Sequence, residues 1–343
     1  MQAVEGDILV AASRVSPAER NARRADLVLE GGGVKGIGLV GAIGALEAGG
    51  WRLGEPARIA GTSAGAIVGS FLAAGISARR MEKDFDELEH EDILDASPFG
   101  ALGRGVSLLT RLGLYRGDRL HRWISDRLKA QGVRTFGDLR LRDPVSDLPR
   151  DRAYGLVVIV SDVGSGHMVR LPWDFARYGL DADEQPVADA VRASASIPGV
   201  FRPVRMRLPG GARATCVDGG LLSNYPITVF DRRDTLRPRW PTFGIKLSAR
   251  PAPGRWTVGR PARGPVSYGR ALVQTMIEAH DRLDLDEPSI AARTVFVDSA
   301  GVGATDFRLS REARADLHER GYKAAEKFLT DWDFDAYLTK YRT

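Results

Sequence analysis

The chain has 343 residues and one cysteine, Cys216, so it forms no internal disulfide and nothing in it calls for an oxidising compartment. No uninterrupted apolar run approaches the ~20 residues that span a bilayer. The start, Met1-Gln2-Ala3-Val4-Glu5-Gly6-Asp7, has neither the basic beginning nor the apolar stretch of a secretory leader. Lysine is scarce: of 49 basic residues 7 are lysine and 42 arginine, for a net charge of +5. That bias reads either as genomic base composition or as a surface favouring anionic partners. Arginines alternate with acids too closely for any basic run to decide, and nucleic acid is not an expected partner. With 43% hydrophobic and 27% charged residues, the chain is neither disordered nor fibrous. A cytoplasmic location follows as the expectation, with transient contact at a membrane surface left open.

No internal repeat and no clean domain boundary interrupt the chain. Residues 1–25 read as a polar extension, 26–300 as one catalytic unit and 301–343 as a C-terminal helical segment packed on it. Asp26 to Glu30 is a short apolar strand, followed by glycines and a helix from Gly36 to Glu47. Arg58 to Ala60 and Ala64 to Ala74 repeat the unit of strand, tight turn and helix. This pattern predicts an α/β fold with a mostly parallel sheet. Leu156 to Val160 is the strongest strand candidate, with His167 to Leu171 as its hairpin partner. Asp118 reads as the N-cap of a helix reaching Ala130, and Ile197 to Pro203 as a rigid loop. Further strands are expected at Thr242–Leu247 and Thr294–Val297, and helices at Val187–Ala195 and Ser310–Leu329. Residues 249–267 read as a loop. The apolar, glycine-broken stretch 91–116 fits either a mobile cap over a greasy substrate or a buried helical insertion.

Gly31-Gly32-Gly33-Val34-Lys35-Gly36 satisfies G-x-G-x-x-G between a strand and a helix, the dinucleotide-binding context. Such a site also needs an acid at the end of the next strand, and that strand ends in Gly61-Thr62-Ser63 instead. Glu55 has the spacing but precedes the strand. An ATP-cradling loop fails as well, because Gly36 is followed by Ile37 rather than Lys and Ser or Thr. What survives is an anion cradle of backbone amides at the positive end of a helix, suited to a phosphate or to a transition-state oxyanion.

Gly61-Thr62-Ser63-Ala64-Gly65 is G-x-S-x-G between a short strand and a helix of small residues, the pattern of a nucleophile elbow. The same residues could form an ordinary glycine-rich turn that happens to hold a serine. A serine nucleophile needs a base, yet His90, His121, His167, His280 and His318 all read as surface residues. Asp218, at a strand end before Gly219 and Gly220, is better placed, provided it lies within reach of Ser63 in a partly desolvated site.

These three elements, in order, resemble the patatin-like phospholipase family. The resemblance extends to Ala195-Ser196-Ile197-Pro198, Phe201, Pro203, Asn224 and Pro226. It implies a three-layer α/β/α fold and a Ser–Asp dyad without histidine: Ser63 as nucleophile, Asp218 as base, and the amides of Gly31, Gly32, Gly33 and Ala64 as oxyanion hole. Lys35, Gly36, Gly61, Gly65, Gly219 and Gly220 would support these motifs. The implied substrates are phospholipids, lysophospholipids or acylglycerols, with no metal or cofactor. Glu30 departs from the aspartate of many relatives, and the expected consequence is for loop support. Acyl transfer to an alcohol on the same site, and nucleotide binding on the glycine loop, are the alternative readings.

Overall fold

The structure, a computed structural model, describes residues 23–88, 93–95, 112–143, 146–248 and 287–342, together with Gly264, Tyr268 and Thr275. Eight strands build its main sheet: β1 (Asp26–Leu29), β2 (Ile59–Thr62), β3 (Leu156–Asp162), β4 (His167–Leu171), β5 (Val204–Arg207), β6 (Arg213–Asp218), β7 (Thr242–Lys246) and β8 (Thr294–Phe296). Strands β8, β7, β1, β2 and β3 run parallel in that spatial order. Strands β4 and β6 pair antiparallel with β3, and β5 pairs antiparallel with β6. Every residue of β1, β2 and β3 is buried, as expected of central strands covered on both faces.

The α-helices among the described residues are α1 (Gly36–Ala48), α2 (Ala64–Ala73), α3 (Ala78–Asp86), α4 (Asp118–Ala130), α5 (Val187–Ser194), α6 (Pro288–Ala292), α7 (Arg311–Asp331) and α8 (Phe334–Tyr341). Together with the sheet they form a three-layer α/β/α fold. Helix α1 has almost no polar face, because it is buried between the sheet and α7. The two helices cross where their backbones touch. A Cβ on Gly321 would stand 2.0 Å from the Gly38 carbonyl oxygen, and one on Gly41 would stand 2.0 Å from that of His318.

The site depends on how β3 is shared. Thr62 of β2 pairs with Ile159, while Asp218 of β6 pairs with Val160. Strand β4 occupies the opposite edge of β3 along Val158–Asp162. Hence β2 and β6 lie on the same edge of β3 and meet end to end, their C-termini facing each other on consecutive rungs. A serine just past the end of β2 and an aspartate at the end of β6, 155 positions apart, are thereby neighbours.

Several expectations need correction. Asp118 is the first helical residue of α4 and not its cap: Gly117 precedes it at φ 78°, and the Asp95 carboxylate accepts the N–H groups of Asp118 (2.6 Å) and Arg119 (3.1 Å). The segment after Ile197 is more than a loop, because Gly199–Phe201 forms a short parallel pair with Gly113–Tyr115. Strand β5 and helix α8 were not anticipated. The N-terminal extension lies outside the described residues except near Arg23–Arg24, which pair with Trp51–Arg52. Residues 96–111 and nearly all of 249–267 also lie outside them.

Gly321→Ala is expected to lower unfolding free energy by about 1–3 kcal/mol, because the added methyl drives α7 away from α1. Denaturant titration checks this, and an unchanged midpoint would show that the crossing relaxes freely.

Candidate active site

Between the end of β2 and the start of α2 the chain must reverse within one residue. Ser63 makes that turn at φ 52° and ψ −118°, a conformation that side-chain-bearing residues rarely adopt and that costs on the order of 1–3 kcal/mol. Its flanks have no room for side chains. A Cβ at Gly61 would lie 2.2 Å from the Gly65 carbonyl oxygen, and one at Gly65 would lie 2.3 Å from that of Leu29. The Ser63 carbonyl accepts the amides of Ala66 and Ile67, anchoring the turn to α2. Its own N–H donates to Ser194 Oγ at 2.8 Å, and that hydroxyl donates to the Ile159 carbonyl at 2.6 Å. Ser194 was not singled out from the sequence. Its one signal there is its place next to the Ala195-Ser196-Ile197-Pro198 stretch.

Asp218 is buried, and its N–H donates to the Ser196 carbonyl at 3.0 Å. Oδ1 accepts the Gly220 amide at 2.8 Å. Burial pushes the carboxyl up to about 6, while the Ser63 hydroxyl and the Gly220 amide pull in the opposite direction. Oδ2 is buried without a closed hydrogen bond, although the Ser63 hydroxyl is near enough to hold the carboxyl down. Such contacts commonly tighten only when substrate binds. Gly219 must be glycine because a Cβ there would stand 2.3 Å from the Ile159 carbonyl oxygen.

The glycine loop is held from behind. Glu30, Lys246 and Asn224 are all buried. Glu30 pairs with Lys246 and accepts the Leu247 amide, while Asn224 Nδ2 donates to the Gly31 carbonyl at 3.2 Å and to Glu30 at 3.4 Å. Glu30 therefore serves loop support. The Gly31 N–H already donates to the Asn224 carbonyl at 3.1 Å, so Gly31 cannot act as an oxyanion donor. The amides of Gly32, Gly33 and Ala64 have no acceptor among the described residues. Gly36 stands beside Ala64 (3.3 Å from a Cβ built on Gly36 to that of Ala64), bringing the N-termini of α1 and α2 together. Two helix dipoles thus present their positive ends next to Ser63. Lys35 closes the loop through its N–H to the Gly32 carbonyl, at 3.2 Å.

Ser63, Gly33 and Ala64 line one cavity of about 100 Å³. The rest of its wall is apolar, including Ile37, Ile67, Leu120, Trp123, Phe201 and Phe307, apart from Arg314, which donates to the Phe85 carbonyl at 3.3 Å. Glu55, the acid with the ribose spacing, lines a different cavity and accepts the Arg142 amide, so the loop lacks that partner for a nucleotide. Among the described histidines, His121 pairs with Asp189, His318 lies 3.9 Å from Glu82 and His167 is exposed. None of the three lines the Ser63 cavity. His90 and His280 lie outside the described residues. No group of three or more His, Cys, Asp or Glu among the described residues could hold a metal ion.

Comparison with known proteins gives relatives in both sequence and structure. The sequence profile of the patatin-like phospholipase family matches residues 27–231. The Bacillus subtilis protein YqhO is 39% identical over 313 residues, covering 90% of this chain and 99% of YqhO. An NTE family protein of Mycobacterium tuberculosis is 32% identical over 207 residues, which is 60% of this chain but 28% of the relative. Among solved structures, VipD from Legionella pneumophila superposes with a TM-score of 0.51 at 19% identity, over 89% of this chain and 66% of VipD. That likeness establishes the fold.

The buried carboxylate has a consequence for stability. A folded-state pKa raised to about 6 means that the folded state gives up stability as pH rises from about 4 to 6 and does not regain it above. Asp218→Asn keeps an acceptor for Gly220 and removes the charge. We expect it to raise stability by up to about 3 kcal/mol at pH 8, the gain vanishing near pH 4. Thermal unfolding of both forms across this range measures it, and a gain independent of pH would contradict the desolvated carboxylate.

Proposed function

Because this chain belongs to the patatin-like phospholipase family, we propose that it hydrolyses carboxylic esters of lipids with Ser63 as nucleophile and Asp218 as base. The observation that carries the reading is one juxtaposition. A serine at a strained strand-to-helix turn faces a buried carboxylate, beside unpaired amides and an apolar cavity.

As Ser63 Oγ attacks the ester carbonyl, its proton passes to Asp218 Oδ2, the carboxylate oxygen without a closed hydrogen bond. The tetrahedral oxyanion takes hydrogen bonds from the amides of the glycine loop and Ala64, each such donor contributing about 3 kcal/mol to transition-state stabilisation. Asp218 returns the proton to the departing alkoxide as the C–O bond breaks, leaving an acyl-serine. Water then attacks the acyl group, gives its proton to Asp218, and the fatty acid leaves as Ser63 recovers that proton. The apolar wall takes the acyl chain, in keeping with phospholipid, lysophospholipid or acylglycerol substrates. Free fatty acid is the expected product even with glycerol added as a competing acceptor.

The base works only when ionised. Initial rates should therefore rise tenfold per pH unit below about 6 and level off above it. Ser63→Ala is expected to lower turnover by more than about 10³-fold, and Asp218→Asn by a similar factor. Fluorophosphonate labelling of wild type and Ser63→Ala, read by intact mass and peptide mapping, tests the assignment directly. A single adduct on Ser63 that the variant lacks is the expected result; labelling elsewhere, or full turnover by Ser63→Ala, refutes it.

A further inference from the structure

In a parallel ladder, hydrogen bonds from one strand recur every second residue and advance by two on the partner. Between β2 and β3 the first such bond runs from Ile59 N–H to the Gly155 carbonyl, at 2.9 Å. The register, with Ile59 opposite Leu156 and Thr62 opposite Ile159, places the next from Gly61 to Val157 and the one after from Ser63 to Ile159. That last rung is not made directly. Ser63 has turned out of the sheet at φ 52°, and its N–H donates to Ser194 Oγ, which in turn donates to the Ile159 carbonyl. A single buried hydroxyl from α5 therefore stands inside the ladder as the missing rung.

Resting on the hydrolase reading above, we infer that Ser194 is a positioning residue for the nucleophile. Its hydroxyl satisfies both backbone groups that the turn of Ser63 would otherwise orphan. It thus permits the strained turn and fixes how far Ser63 stands from β3. The same stretch of chain also holds the base, since the Ser196 carbonyl accepts the Asp218 amide at 3.0 Å. Arg192 anchors this stretch from the other side. It is buried and donates to Ser196 Oγ at 2.6 Å and to the carbonyls of Gly117, Arg116 and Arg202. The end of α5 is therefore a jig that grips Ser63 through a side chain and Asp218 through the main chain.

Two readouts test this in the full-length protein. The first is amide exchange of the peptide spanning Ser63, which needs no catalysis. Ser194→Ala should speed exchange at that amide by at least tenfold while the β1 and β3 amides keep wild-type protection. The second is the rate of fluorophosphonate labelling, expected to fall by about 10²-fold with KM for a short-chain ester unchanged, as for a small misplacement of a reacting atom. Ser194→Thr, which keeps the hydroxyl, should recover most of the rate. Ser70→Ala removes another buried hydroxyl, one that donates only to Ile67 within α2, and should leave both readouts unchanged. Wild-type exchange and labelling rates in Ser194→Ala overturn the inference, as does a loss that tracks the unfolded fraction. If wild type itself takes no label, the hydrolase reading fails, and amide exchange still decides the role of Ser194.

Discussion

The edge of β3 is the constraint from which the site follows. Seven residues long, it accepts four residues of β2 and then three of β6 along the same side, so the two strands cannot both extend. The chain of β2 has to leave the sheet at Ser63, because the next place on that edge belongs to Asp218. The length of β2 therefore sets where the two side chains meet, since one more rung of pairing would displace the carboxylate. Gly219 closes the arrangement by letting β6 end directly against the Ile159 carbonyl.

Two features of this junction are unfavourable in isolation: a left-handed serine and a carboxylate buried without full hydrogen bonding. Both persist because their surroundings over-determine them. Strands β1, β2 and β3 are fully buried, and Gly65 locks the start of α2 against the carbonyls of Leu29 and Glu30. Behind the glycine loop, the buried Glu30–Lys246 pair and Asn224 leave the loop little freedom to collapse into the space near Ser63. Stability lost at these two groups is offset by rigidity around them, the usual compromise where a local conformation must be kept strained.

The last part of the chain belongs to this arrangement. Phe307, Leu309 and Arg314 complete the cavity wall from a segment beyond residues 27–231, which the family profile covers. Helix α7 packs on α1, whose N-terminus carries the glycine loop, so the C-terminal helix buttresses the anion cradle from behind.

The class of fold was legible in the sequence alone, and so were the two side chains proposed above to react. Buried parallel strands must be short continuous apolar runs, and a strand-to-helix turn without room for side chains must be glycine-flanked; both constraints are local and leave readable marks. Asp218 at a strand end was legible for the same reason, whereas Glu30 as loop support was implied by the family resemblance. Contact between distant segments was not legible in the sequence, because it arises only on folding. That Asp218 meets Ser63 and that Ser194 completes the ladder depend on register across the sheet; that the Gly31 amide is occupied by Asn224 and that Asp95 caps α4 depend on loops that only folding brings together. A serine hydroxyl bonded to a backbone amide 131 positions away has no periodicity or spacing to betray it, because the strand edge that joins them exists only after folding.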